Sequence, residues 1–258
     1  MYDIVFYCDA GRSVGFGHVS RCIKIANKIL KYKKLNIKFS GDYDVLVKDF
    51  LKRELNNVIK IDYTKKFSRS FISFVDKMFD YEDPNKVDVK FLDNINAVSN
   101  KTILLTSGNK PPIISKAIKC IGYTPTITKK FKPNIYWGLK YAPTVDAEEV
   151  KKVKFDREKV FLAFGGIKNN NILIKSVLLA INNIKQIKKI TLLISPVNKL
   201  LNLKGISLRN NLKLDIAYKK KNIYHQIRSA CLIVSSYGNL CYECLSLKKP
   251  LFIIAQKK

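Results

Sequence analysis

The stretch "DIVFYCDAGRSVGFGHVSRCIKIANKIL" at 3–30 constrains the fold more than any other part of the chain. "DIVFYC" at 3–8 is an almost unbroken apolar run of strand length. A strand with one wet face would alternate, whereas a continuous run suits a parallel strand covered on both sides. A polar, glycine-containing loop follows. Val19, Cys22, Ile23, Ala26, Ile29 and Leu30 then recur at helical spacing with Lys and Asn between them, which predicts an amphipathic helix. "NIKFSG" at 36–41 reads as a second strand. Strand, glycine loop, helix and strand make a βαβ unit, which requires a parallel sheet with helices on its faces.

The same alternation returns after residue 158. "KVFLAFGG" is a strand ending on two glycines, "ILIKSVLLAINNIKQ" a helix and "KKITLLIS" a strand. "NLKLDIAY" is another strand and "NIYHQIRSA" a short helix. "CLIVSS", the tight turn "YGN", the helix "LCYECLSLK" and the strand "PLFIIA" complete the series. Between the halves the pattern is harder to read. "DYDVLVKDFLKREL" looks helical, "NVIKID" and "KTILLT" look like strands, and a helix is expected before Cys120. "PTITKKFKPNIYWGLKYAPT" reads as a connector. The expected fold is α/β, with two Rossmann-like βαβ domains whose parallel sheets face a cleft. The predicted domains are 1–140 and 158–258, with a linker at 141–157 where "VDAEEVKK" interrupts the apolar pattern. The chain stops just after a strand, where a closing helix is expected, so the second domain is read as truncated or closed by another segment.

Composition narrows the function classes. The N-terminus carries Asp3 and Asp9 and no basic region, so it reads as a first strand rather than a signal peptide, and a cytoplasmic location is expected. No window is apolar for the length of a membrane-spanning helix. The six cysteines are expected to be reduced thiols, because the Cys241-Cys244 pair has no second Cys/His pair nearby to complete a zinc site. The formal net charge of +28, from 48 basic and 20 acidic residues, suggests polyanions. Only seven of the 48 are Arg, and the lysines are scattered. A solvated lysine bias is therefore the first reading, weak attraction to an anionic membrane surface the second, and nucleic acid is not expected as a partner. The sequence does not set the oligomeric state.

Ligands of a parallel sheet lie beyond the carboxyl ends of its strands. Three loops occupy that position, at 9–18, 165–171 and 235–239. Their glycines, Gly15 and Gly17, Gly165 and Gly166, and Gly238, allow close backbone approach, and a helix N-terminus after each favours a diphosphate. His18 stands in the first turn of its helix. The positive end of the helix dipole favours the uncharged imidazole, which can accept a proton as a general base. The alternative is a histidine with a purely structural hydrogen bond, the reading also given to His225. Arg21, one turn on, reads as a phosphate or carboxylate contact or as a surface ion pair. Glu243 lies one turn past Asn239 and reads as a ribose contact or as a solvent-exposed glutamate.

With those residues in view, "FYCDAGRSVGFGHVSRCIKIANKIL" resembles the opening of the UDP-sugar hydrolases of pseudaminic acid biosynthesis. That family includes the spore-coat polysaccharide biosynthesis proteins. The match rests on an Asp after the first strand (Asp9), a G-x-G-H-x-x-R loop and a helix with Cys, Ile and Ala on one face. The arrangement is also similar to the lipid II-forming GlcNAc transferase, a two-domain GT-B protein. "FLAFGG" and "SSYGNLCYECLSLKKPLFII" look like the nucleotide-binding elements of that superfamily. The family also carries an acidic motif after a buried strand of the first domain, which "KTILLTSGNKPP" does not supply. The resemblance implies release of UDP from a UDP-sugar by water attacking the anomeric carbon with inversion, with His18 as general base. It implies no cofactor and no metal. Gly165, Gly166, Ser236, Gly238 and Asn239 would hold the diphosphate and Glu243 the ribose. Gln256 falls where the family often has an Asn-Gln pair. An inverting glycosyltransferase using the same donor, and a non-catalytic binding protein with an eroded site, are the alternative readings.

Overall fold

A computed structural model of the chain describes all residues outside 12–13, 56–58, 63–66, 81–82, 84–85, 126–130, 145–146, 148–149, 166–170, 195–201, 218–222 and 255–258, except for the side chain of Ile59. The chain divides into two compact units, Met1–Pro143 and Thr144–Lys258.

In the first unit the strands are β1 (Tyr2–Cys8), β2 (Ile37–Ser40), β3 (Ile59–Asp62), β4 (Ser70–Asp76), β5 (Ser99–Thr106), β6 (Ile118–Gly122) and β7 (Ile135–Trp137). The helices are α1 (Gly17–Leu30), α2 (Val45–Glu54) and α3 (Val89–Val98). All strands run parallel, in the order β3-β2-β1-β4-β5-β6-β7. The unbroken apolar run of β1 now has its reason. Ile4, Phe6 and Cys8 face one core with Val19, Cys22, Ile23 and Ala26 of α1, while Val5 and Tyr7 face a second core with Leu92 and Ile95 of α3. Phe6 stacks on its registered neighbours Phe39 and Phe74, each at a centroid distance of 4.9 Å. Each such fully buried ring contributes about 1.5–3 kcal/mol through removal from water.

Two expectations for this half are corrected. No helix precedes Cys120, which sits inside β6 instead. The segment ahead of it contains Pro111 and Pro112, which lack the donors a helix needs, and residues 118–122 alternate between buried and outward positions with a period of two. The stretch read as a connector contains β7, whose Trp137 ring covers Gly122 and donates Nε1–H to the Thr124 carbonyl at 3.0 Å. The structure also adds β4 and α3. Ser70 and Ser73 make β4 look polar. They are buried, however, and their hydroxyls lie 2.9 Å from each other and within 3.0 Å of Ser99 Oγ, so the three groups satisfy one another.

The second unit contains β8 (Asp156–Ala163), α4 (Asn171–Asn182), β9 (Lys189–Leu193), β10 (Lys213–Ala217), α5 (Ile223–Ser229), β11 (Ala230–Ser236), α6 (Asn239–Ser246) and β12 (Leu251–Ile254). Its strands form a parallel sheet in the order β10-β9-β8-β11-β12. β8 again feeds two cores: Val160 and Leu162 pack toward α4, Phe161 and Ala163 toward α5 and α6. Both units are thus Rossmann-like α/β sheets covered on both faces. Among the described residues no helix is long and apolar enough to cross a membrane.

Candidate active site

An open parallel sheet changes winding direction at one point, and ligands gather at the strand ends there. In the first unit the chain winds from β1 through β2 to β3, then returns to place β4 on the other side of β1. The switch point is therefore between β1 and β4, whose last residues Cys8 and Asp76 are in register. The loop after β1 turns tightly. Gly11 and Gly15 exchange backbone hydrogen bonds of 3.1 and 2.7 Å, and Gly15 takes a φ of +73°, which glycine adopts without strain. That turn delivers Gly17 and His18 to the first turn of α1, directly over the end of β4.

His18 is 8% exposed, and its Nδ1 lies 2.6 Å from Asp76 Oδ1. Arg21, one turn along α1, donates Nε–H to Asp76 Oδ2 at 2.8 Å and Nη2–H to Asp76 Oδ1 at 2.7 Å. Nη2 also lies 2.8 Å from His18 Nδ1, but the carboxylate between them is the acceptor common to both donors. With a single proton on the ring, the Nδ1–H tautomer is the one that gives Asp76 a donor, and Nε2 then keeps its lone pair. Burial would push the Asp76 carboxyl up, but the Arg21 charge and then His18 outweigh it and hold it below the usual carboxylate range. Burial would likewise lower the Arg21 guanidinium, but Asp76 overrides it and the net shift is upward. The Arg21 ring neighbour is Tyr123, 5.3 Å below the guanidinium.

Of the partners open to Arg21, the structure shows a carboxylate: the side chain is 5% exposed and pairs with Asp76, which also contacts His18. Asp9 accepts from the Lys77 ammonium and from the Met78 amide at 3.2 Å, which ties the β1 loop to the loop after β4. A buried carboxylate that sequence reasoning passed over, Asp76, stands at the end of β4. Its sequence signal was "FISFVD", an apolar stretch ending on Asp in the manner of β1. Beside this group lies a recess of about 20 Å³, lined by His18, Asp76, Lys77, Phe79, Thr106 and Ser107 among others. That is room for about one water molecule.

The switch point of the second unit lies between β8 and β11. Gly165, with φ of +75°, follows β8, and Ser236 ends β11. A Cβ at Gly165 would come within 3.6 Å of Ser236 Oγ, so the two loops adjoin. Ser235 Oγ donates to the Ala163 carbonyl at 2.7 Å and ties the two strand ends together. Gly238 is the residue before α6, and Asn239 opens that helix. Glu243 is 3% exposed, which removes the solvent-facing alternative. Gly166 and Gln256 lie outside the described residues. Sequence reasoning passed over Tyr237, a residue 53% exposed between Ser236 and Gly238. Its hydroxyl meets Tyr242 OH at 2.5 Å, and the two rings pack edge to face at 6.2 Å. Two other helices are capped by side chains: Asp44 accepts from Val47 N in α2 and Asp88 from Phe91 N in α3, each at 2.9 Å. α1 and α6, which open at the two switch points, have no side-chain cap.

The cysteines are free thiols, all buried except the half-buried Cys231. Burial pushes the Cys120 and Cys244 thiols up to about 12, so both stay protonated at neutral pH. Fold and site together define a protein of two parallel α/β units, each with its candidate residues at the switch point of its sheet. No protein-family model and no curated protein matches the chain.

Proposed function

We propose that the chain is a nucleotide-sugar hydrolase of GT-B-like architecture. In this reading it cleaves the anomeric C–O bond of a UDP-sugar with inversion and releases UDP. The observation that carries the reading is the His18–Asp76 contact of 2.6 Å beside a recess of about 20 Å³. A general base needs its accepting nitrogen free and its ring fixed, with a water within reach. Asp76 fixes the tautomer through Nδ1, and Arg21 keeps Asp76 ionised. The water held in the recess attacks the anomeric carbon as its proton passes to His18 Nε2. The bond from that carbon to the β-phosphate oxygen breaks, and UDP departs with the electron pair. The imidazolium so formed faces the Asp76 carboxylate, which stabilises it. Asp76 and Arg21 are positioning residues, because neither touches the reacting atoms.

Backbone amides and the helix dipole at the start of α6 would stabilise the departing diphosphate. Gly165, Ser236, Gly238 and Asn239 would surround it, with Gly166 completing the loop. Tyr237 offers a fixed, exposed ring on which the nucleobase can stack, and Glu243 would take the ribose hydroxyls. The test is mass spectrometry of the products after incubation with a panel of UDP-sugars, with and without an acceptor lipid. Free sugar and UDP without acceptor are expected. A new glycoside formed only with acceptor assigns the glycosyltransferase reading instead, and no UDP-sugar turnover or binding assigns the eroded, non-catalytic one.

A further inference from the structure

A second pocket lies at the opposite edge of the second unit's sheet, where its strands begin. It encloses about 410 Å³ and is lined by Lys154, Phe155, Asp156, Arg157, Lys159, Lys189 and Ser229. Four cations therefore face one carboxylate. That carboxylate is already engaged: Asp156 Oδ2 accepts from Lys189 at 2.8 Å and Oδ1 from the Glu158 amide at 3.0 Å. Lys159 donates to Gln226 Oε1 at 2.6 Å and to Ser229 Oγ at 2.7 Å, at the C-terminal end of α5, and its charge also acts on Asp156. Lys154 and Arg157 are exposed and make no hydrogen bond or ion pair among the described residues. Phe155, 49% exposed beside them, carries the Lys249 ammonium 4.6 Å from its ring centre, which brings a fifth cation to the rim.

We propose that this pocket binds a clustered-phosphate anion, a diphosphate-type group held by Lys154, Arg157 and Lys159. A planar guanidinium pairs with two phosphate oxygens at once, and ammonium groups add point charge from the sides. A concave site in which cations outnumber carboxylates concentrates multivalent anions more than scattered surface lysines do. The volume accommodates two linked phosphates with their substituent. The site is separate from the strand ends that carry Gly165 and Ser236, so it stands whether or not the chain is a hydrolase. Such a phosphate cluster can arrive as a soluble molecule or as a lipid headgroup.

The test uses the full chain, titrated calorimetrically with inorganic pyrophosphate and, in parallel, sedimented with phosphatidylcholine vesicles containing a phosphorylated inositol lipid. Saturable pyrophosphate binding is expected, weakened about tenfold in Lys154→Gln/Arg157→Gln, as loss of charge-assisted contacts implies. A control, Lys33→Gln/Lys34→Gln, removes two exposed charges from the first unit and is expected to leave the affinity within about twofold, because screened surface charges add little. Vesicle binding that pyrophosphate displaces identifies the headgroup as a source, and pyrophosphate binding without vesicle binding identifies a soluble one. Four outcomes overturn the proposal: no binding in either arm, equal weakening in the control, no weakening in Lys154→Gln/Arg157→Gln, or vesicle binding that pyrophosphate does not displace.

Discussion

Asp76→Asn removes one charge and almost no volume, and the geometry states what it costs. Asp76, with its side chain 1% exposed, accepts from Arg21 Nε and Nη2 and from His18 Nδ1. Asparagine keeps one carbonyl oxygen but turns an NH₂ donor toward groups that are themselves donors. The Arg21 guanidinium is then buried without a counter-charge. Breaking a buried ion pair on one side costs about 3–5 kcal/mol. A typical domain has about 5–15 kcal/mol to lose, so the variant folds at room temperature with a clearly lowered denaturation midpoint. The assay is favourable, because the single tryptophan, Trp137, lies in the first unit and reports on its unfolding alone. The pH dependence has a definite sign. Asp76 is held below its ordinary value of 3.8, so its contribution is complete above about pH 4 and disappears as pH falls through the lower folded value. The difference between wild type and Asp76→Asn should accordingly be constant at neutral pH and shrink below pH 4. Replacing both partners, as Arg21→Met/Asp76→Leu, leaves no orphaned charge and should cost far less than the two single changes added together. An Asp76→Asn protein within about 1 kcal/mol of wild type at pH 7, or a double variant as unstable as the sum, would refute the buried-pair account.

Other consequences are separately measurable. His18→Ala should keep the fold and lose about 10²–10⁴-fold in UDP release, the usual contribution of a positioned base; unchanged turnover would remove His18 from the mechanism. Burial, aided by the Arg21 charge, pushes the Lys24 ammonium down to about 8 from 10.5. The unfolded chain then binds more protons between these values, so stability should rise with pH from about 8 to 10.5. Lys24→Met should flatten that rise, and a denaturation series across the range decides it. Tyr237→Ala should weaken UDP binding about tenfold by calorimetry, the usual worth of a base stacked on an aromatic ring. Tyr237→Phe should bind UDP nearly as wild type does if stacking is the contact. Gly122→Ala would drive a methyl group into the Trp137 ring and should cost about 1–3 kcal/mol or more. Thermal unfolding followed by Trp137 fluorescence reads it directly.

Much of the α/β framework was legible because its signals are local. β1, β8 and β11 are apolar runs of strand length, and α1 shows its buried face at helical spacing, so period and composition suffice. β4 escaped because its serines break the apolar run, and they can be buried only because Ser99 arrives from β5 to share their hydrogen bonds. β7 escaped because three residues among prolines and lysines carry no period. The helix expected before Cys120 failed because Pro111 and Pro112 interrupt the segment where it would form, and the residues after it alternate as a strand.

The sequence by itself determined that this chain builds parallel sheets whose strands run into glycine loops, one of which places a histidine at the start of a helix. Those are properties of neighbouring residues. The tertiary structure decided what that histidine can do. Asp76 is 58 residues from His18 and 55 from Arg21, and nothing in the local pattern of either segment names the other. The winding order of the strands set β4 beside β1 and brought their ends into register. Only that choice gave a helix-start arginine, read as a phosphate or carboxylate contact or a surface ion pair, its partner: the buried carboxylate beside the ring.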